Sequence, residues 1–330
     1  MHHSCHSLFM SFVSAKITLI IPTANAKEHI SLFYYCINAC IHIFFVTLHA
    51  KQHNPSMNKK KLNIVFLIAG SEPLGSAGMQ ADIKAITACG GYAACAVTGI
   101  VDEDTQSVKS VTPLPAELVA SQARSFLNDV GAQCIKTGVL PTAAIIDSVA
   151  EVLKEHPDVK KIIDPVIVDS NGEQLVNDDS IAAYKDKLFS LATLITPNRR
   201  EAEVLIGHRI SNIEEDIKEL ARWGCSVIVK SIEDGDCLID ALYNVETKEL
   251  KTFRKKRIDT HNVNGTGDSF SSAIATYLAK GHTLGQAVEK GEEFINKAIA
   301  LGAEYEFGHG YGPVHPCFME DKNIHERIYN

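Results

Sequence analysis

NGTGDSFSSAIATYLAKG (Asn264–Gly281) sets two glycines around a threonine, follows them with an aspartate, and runs at once into an alanine-rich apolar stretch. Gly265 and Gly267 free the backbone so that successive N–H groups can turn into one space, and a helix opening near Asp268 adds its positive end. Such a turn suits a phosphoryl group in transfer, with Asp268 placed to accept a proton from an attacking hydroxyl. The plainer alternative is an aspartate N-cap behind a glycine turn, a common way to begin a helix.

The surrounding pattern decides what kind of fold carries this turn. Upstream, Leu62–Ala69, Ala94–Val101, Cys134–Val139, Lys161–Val168, Ala192–Thr196 and Ser226–Lys230 read as strands, most of them apolar on both faces. Helical spacing fills the intervals at Ala77–Ala88, Ala116–Val130, Ala143–Glu155 and Ile213–Trp223. The alternation predicts an α/β fold, a doubly wound, mostly parallel sheet with helices on both faces. Leu238–Asn244 and Glu249–Arg257 read as a small β-hairpin insertion. Asp268–Lys280 and Leu284–Leu301 read as long helices, with Gly281 and Gly302 standing where C-terminal caps are wanted.

Composition breaks near residue 57. Of 14 histidines, seven precede Met57, and that stretch has no glycine and one acid, Glu28. Residues 1–56 are therefore expected to be an extension and 57–330 a single domain. A leader ending near Ala24-Asn25-Ala26, or a membrane span in Ser31–Ala50, is the competing reading. It is weakened by few basic residues ahead of the apolar run and by Asn38, His42 and His49 within it.

The net charge of -8, with basic runs only at Lys59–Lys61 and Arg254–Arg257, argues against a nucleic-acid surface. Nine cysteines lack any CxxC or metal-ligand spacing and fit reduced, buried thiols in a cytoplasmic protein with no membrane partner.

A second glycine-rich turn, GSEPLGSAGMQAD (Gly70–Asp82), links the first strand to a helix without a GxGxxG pattern or a Walker lysine. Ligands of open α/β sheets bind beyond the carboxyl ends of the strands, so Ala77 and Asp82 are candidates for a substrate wall. Otherwise Asp82 is an exposed helical acid.

With KTGVL (Lys136–Leu140), DPV (Asp164–Val166), TPNRREAE (Thr196–Glu203), NGTGD and GHGYGP (Gly308–Pro313), these motifs stand in one order over roughly Leu62 to Pro316. That order resembles the ribokinase superfamily. It is most similar to the hydroxymethylpyrimidine/phosphomethylpyrimidine kinases of thiamine biosynthesis, with pyridoxal kinases as neighbours. The resemblance implies an ATP- and Mg²⁺-dependent kinase acting on a small molecule, with a homodimer as the family habit. It implies a pyrimidine pocket at Ala77, Asp82, Glu103 and Val139, and nucleotide contacts at Asn198, Lys230, Gly265 and Gly267. Asp164 and Glu201 are implied near the metal, and Gly265, Thr266, Gly267 and Asp268 as the catalytic turn. Glu103 suits an aminopyrimidine, because a carboxylate accepts from an exocyclic amine that pyridoxal lacks. Without the resemblance, Glu201 is a first-turn acid favoured by the helix dipole and Lys230 a solvated strand end.

The sequence departs from that family in three places. Asp268 stands where the thiamine-pathway kinases usually have cysteine, Lys230-Ser231-Ile232-Glu233 replaces the usual KGGH, and Val139 replaces methionine. Aspartate, the sugar- and pyridoxal-kinase version, keeps pyridoxal phosphorylation as the alternative activity. A sugar or nucleoside kinase is a third reading, and a non-catalytic ligand-binding homologue, opposed by the intact GTGD, is a rival of a different class.

Overall fold

The computed structural model describes residues 61–168 and 174–317, and the readings made for residues 1–56 lie outside them. In order, the elements are β1 (Ile64–Ser71), α1 (Gly78–Ala88), β2 (Tyr92–Glu103), β3 (Val108–Pro113), α2 (Ala116–Asp129), β4 (Cys134–Thr137) and α3 (Ala143–Glu155). There follow β5 (Lys160–Ile163), α4 (Asp178–Ala183), β6 (Leu194–Ile195), α5 (Arg199–Ile206), α6 (Ile213–Leu220) and β7 (Ser226–Asp234). The last are β8 (Cys237–Asn244), β9 (Glu249–Lys256), α7 (Thr266–Ala279) and α8 (Leu284–Gly302).

The nine strands of the described residues form one sheet in the order β3-β2-β1-β4-β5-β6-β7-β8-β9. From β2 to β7 every neighbouring pair is parallel. The outer pairs β2–β3, β7–β8 and β8–β9 are antiparallel. The hairpin expected as an insertion is thus the sheet's own continuation at one edge.

Why the inner strands are apolar on both faces is visible in β1. Alternate side chains of a strand point to opposite faces. Phe66 and Ile68 pack with Val119 of α2 and Ile145 of α3, while Val65 and Leu67 pack with Ile86 of α1 and Ile274 of α7. Each such burial contributes ~1.5–3 kcal/mol relative to exposure. The helices accordingly cover both faces.

The chain winds from β1 outward to β2 and β3, then returns to place β4 on the other side of β1. That reversal opens a crevice at the carboxyl ends of β1 and β4, where α/β sheets bind ligands. The turn after β1 and the start of α7 both lie at this end.

Two glycines divide the expected caps. Gly281 has φ of +89° and its N–H reaches back to Leu278 O at 3.0 Å, the left-handed stop predicted for it. Gly302 remains in α8, whose C-cap is Ala303. Its lack of a side chain answers close backbone approach, since a Cβ there would lie 3.0 Å from both Pro313 O and Val314 Cα.

Ser231 has φ of +60° at an irregularity in β7, where its N–H donates to Asp240 Oδ1 at 2.7 Å. A left-handed non-glycine residue costs roughly 1–2 kcal/mol, partly offset on substitution by glycine's looser unfolded chain. Ser231→Gly is expected to stabilise the protein by about 0.5–1 kcal/mol, read from urea unfolding.

Candidate active site

The NGTGD turn comes from the chain after β9 and delivers α7 into the middle of the fold. Gly265 takes φ of +72° just ahead of the helix, and a Cβ there would sit 1.9 Å from Ser76 O. The turn therefore needs glycine twice over, for its backbone and for its contact with the β1–α1 loop. Thr266 N–H is turned back onto Val263 O, as is its hydroxyl. The helix geometry leaves the amides of Gly267 and Asp268 without an intrahelical acceptor, and both residues line the cavity. A side chain on Gly267 would stand 3.2 Å from Lys230 Nζ, so this glycine keeps the ammonium open to the cavity.

Asp268 is the third residue of α7 rather than its cap. Its Oδ1 accepts from Lys136 Nζ at 3.1 Å and its Oδ2 from the Gly78 N–H at 3.2 Å. The carboxylate is thus anchored from β4 and α1 while 17% of the side chain stays exposed. Lys136 is completely buried and also binds both oxygens of Asp82, at 2.8 and 2.9 Å. Ser272 Oγ donates to the same Asp82 at 2.7 Å. Burial raises Asp82, with Lys136 opposing the rise and the Asp268 charge adding to it.

The β1–α1 loop is held from within by a residue the sequence reading passed over. Glu72 Oε2 accepts from the N–H groups of Leu74 and Gly75, and Oε1 from Ala77 N–H at 2.8 Å. Gln80 Nε2 ties Ser71 Oγ and Glu72 O, both at 2.8 Å. This wiring presents Ala77 to the cavity.

A second charged group lies at the ends of β5, β6 and β7. Lys230 Nζ donates to Asp164 Oδ1 at 3.2 Å, and Ser271 Oγ donates to Asp164 Oδ2 at 3.1 Å. Burial works against the Asp164 charge, but Lys230 and Lys136 outweigh it and hold the carboxyl below the usual range. Glu201 forms a capping box with Asn198, accepting its N–H at 2.8 Å, and its other oxygen accepts from Ile167 N–H at 3.1 Å. Burial pushes Glu201 up to about 8, against Lys230 and with help from the Asp164 charge. Lys230 is no solvated strand end; it is 8% exposed.

The open side is walled by the β2–β3 turn and the C-terminal loop. Thr105 O accepts from Tyr311 N–H at 2.7 Å, and Thr105 Oγ1 from the amides of His309 and Gly310, each at 3.1 Å. Gly310 must be glycine here, since a Cβ would fall 2.0 Å from Thr105 O. The cavity between these walls and the two charged groups encloses about 950 Å³ including its open mouth.

Of the residues expected at a site, Ala77, Glu103, Asp164, Asn198, Glu201 and Lys230 line this cavity together with Gly265, Thr266, Gly267 and Asp268. Asp82 and Val139 do not. Asp82 is neither pocket wall nor exposed helical acid: it is fully buried behind Asp268, because Lys136 demands a counter-charge there. Val139 packs against Gly70, and its carbonyl accepts from Thr98 Oγ1 at 2.8 Å. Lys136, Glu72, Thr105 and Tyr311 were missed. Lys136 alone carried a signal, a lysine in an otherwise apolar central strand that has to find a partner.

Among the described residues, no helix is long and apolar enough to cross a membrane and no cluster of three His, Cys, Asp or Glu is placed to hold a metal. Cys89, Cys95, Cys134, Cys225 and Cys237 are free thiols, and burial pushes Cys134 up to about 12.

Residues 72–315 match the family described as phosphomethylpyrimidine kinase. The thiamine biosynthesis bifunctional protein ThiED of Geobacter sulfurreducens is 36% identical over 78% of the chain and 53% of its own length. The chain thus spans about half the length of the bifunctional relatives it matches. A hydroxymethylpyrimidine/phosphomethylpyrimidine kinase of Staphylococcus aureus is 33% identical over 81% of the chain and 99% of its own. Among solved structures, the pyridoxal kinase of Staphylococcus aureus in complex with AMP-PCP and pyridoxal superposes with a TM-score of 0.71 at 29% identity. That likeness covers 80% of this chain and 96% of that one.

Proposed function

The chain belongs to the phosphomethylpyrimidine kinase family, and on that premise we propose that it transfers the γ-phosphoryl group of ATP to the hydroxymethyl oxygen of 4-amino-5-hydroxymethyl-2-methylpyrimidine. The observation that carries the reading is the carboxylate of Asp268, pinned from two sides at the rim of a cavity whose floor is a helix N-terminus. In the transfer, the acceptor O–H bond breaks and its proton passes to Asp268. The freed oxygen bonds to the γ-phosphorus as the bond to the β-phosphate oxygen breaks, and ADP leaves. The amides of Gly267 and Asp268, the helix end and Lys230 stabilise negative charge on the moving group. Catalysis here is mostly positioning and electrostatics.

Asp164, Glu201 and Asn198 line one end of the cavity with oxygen donors, the chemistry Mg²⁺ prefers. Glu201 already accepts an N–H at each oxygen, so its share of a metal would run through water. Bound there, the ion would neutralise the β- and γ-phosphate oxygens. Glu103, on the opposite wall at the end of β2, is the acceptor proposed for the exocyclic amine of the pyrimidine. A pyridoxal acceptor is the second reading, favoured by the likeness to the pyridoxal-bound kinase. A homodimer and a cytoplasmic location complete the proposal.

Asp268 also sets the expected order of products. Two unit charges ~4 Å apart at an effective dielectric near 20 repel by about 4 kcal/mol, and an incoming phosphate monoester meets that charge where an alcohol does not. Lys136 and Lys230 offset part of it. In a ³¹P NMR time course with ATP, Mg²⁺ and the pyrimidine alcohol, the monophosphate is expected to accumulate before any diphosphate. Diphosphate formation keeping pace would reject this role of the charge, and absence of any phosphorylated pyrimidine would reject the proposed function.

A further inference from the structure

We propose that Lys136 is a positioning residue for Asp268, and that Asp82 acts through Lys136, so that the base is aimed by a charge pair the cavity never touches. The inference rests on the kinase reading for its catalytic consequence and on geometry for the rest.

Three elements meet at one ammonium. Lys136 rises from β4, and its Nζ meets Asp82 of α1 at 2.8 and 2.9 Å and Asp268 of α7 at 3.1 Å. Lys136 and Asp82 are both fully buried, and neither lines the cavity. Solvent therefore cannot substitute for either partner: removing Lys136 leaves Asp82 uncompensated, at a cost far above that of a surface pair, and removing Asp82 leaves Lys136 with Asp268. Among the described residues, Asp268 has two hydrogen-bonding anchors outside its own helix, Lys136 and the Gly78 N–H. Gly78 opens α1, the helix that carries Asp82. One carboxylate thus fixes both the cation and the helix end that hold the other.

The arrangement also sets charge. The ionisable groups that line the cavity with Asp268 are Glu103, Asp104, Asp164, Glu201, Lys230 and Tyr311, and Lys136 and Asp82 lie behind it. Only Lys136 touches its carboxylate. Replacing Lys136 takes this cation off the Asp268 carboxylate, whereas neutralising Asp82 leaves Lys136 to Asp268 alone.

The test compares Asp82→Asn, Lys136→Met and the double variant Asp82→Asn/Lys136→Met in the full chain. The double variant leaves no unpaired charge at the fully buried Asp82 position and remains informative where Lys136→Met alone fails to fold. Asp82→Asn, which unpins Lys136, is expected to lower kcat severalfold, and the double variant to lower it by about 10–100-fold, with the KM for ATP changed by less than about threefold. A purely structural role predicts a KM for ATP that worsens along with kcat, and that result overturns the inference, as does an unchanged kcat in both variants.

A crystal structure of the double variant keeps the inference separable from the kinase reading. Asp268 should leave the Gly78 N–H. A carboxylate still on Gly78 overturns the positioning role whether or not the wild type turns over any alcohol. Absence of wild-type turnover on every alcohol acceptor rejects the kinase reading alone.

Discussion

Asp268→Asn is expected to lower kcat by about 10²–10⁴-fold while ADP binding, measured by calorimetry, changes little. The amide keeps the size of the carboxylate but cannot take the acceptor's proton. It also fits its surroundings poorly. Both anchors of Asp268 are donors, the Lys136 ammonium and the Gly78 N–H, and asparagine offers them one oxygen in place of two. An N–H₂ facing a donor should reduce stability by about 1–3 kcal/mol, visible as a lower Tm. Unchanged turnover would mean that Asp268 serves only to start α7. Lost turnover with lost ADP binding would mean that the variant had disturbed the turn itself.

The second large effect falls on Gly265. Gly265→Ala asks a Cβ to occupy space 1.9 Å from Ser76 O, and asks alanine to adopt φ of +72°. The left-handed conformation alone costs roughly 1–2 kcal/mol, and an overpacked contact with backbone typically 1–3 more. Relief requires the β1–α1 loop and the start of α7 to part, and those two segments frame the cavity. A loss of about 2–5 kcal/mol of stability is expected, with turnover falling even in molecules that remain folded. Gly285→Ala is the control, because no atom lies within 4 Å of the position its Cβ would take. That variant should be at least as stable as the wild type, alanine being the better helix former.

Much of the fold was legible because the inner strands carry their own signature. Runs such as Ile64–Ala69 are buried on both faces, and the continuous apolar pattern reports that directly. What escaped had weaker local signals. β3, VKSVTP, is an edge strand with no buried residue, so nothing in its pattern demands a sheet. β6 was read as Ala192–Thr196 and pairs over only Leu194–Ile195, so its existence was legible and its length was not. α5 follows the TPN stretch directly, and its capping box, Asn198 with Glu201, is the kind of signal that marks a helix start.

The site divides the same way. Gly265, Gly267 and Asp268 are adjacent in sequence, so their turn is a local matter and could be read from five letters. The Asp82–Lys136–Asp268 contact joins residues 54 and 132 positions apart. Spacing alone cannot bring such residues together; the winding of β1, β4 and α7 does. Asp82 was consequently given to the pocket, when its real neighbour is a lysine that the cavity does not reach. Ser231 escaped for another reason: a serine gives no hint of a left-handed backbone, which is ordinarily glycine's mark.

The function proposed for this cavity is phosphorylation of a pyrimidine alcohol with Asp268 as the base. The most direct measurement is kcat/KM of the full-length protein with ATP and Mg²⁺ for the hydroxymethylpyrimidine and for pyridoxal, side by side. A clear preference for the pyrimidine is expected, falling when Glu103 is replaced by glutamine, with turnover lost in Asp268→Asn. Preference for pyridoxal, unaffected by Glu103→Gln, would contradict it.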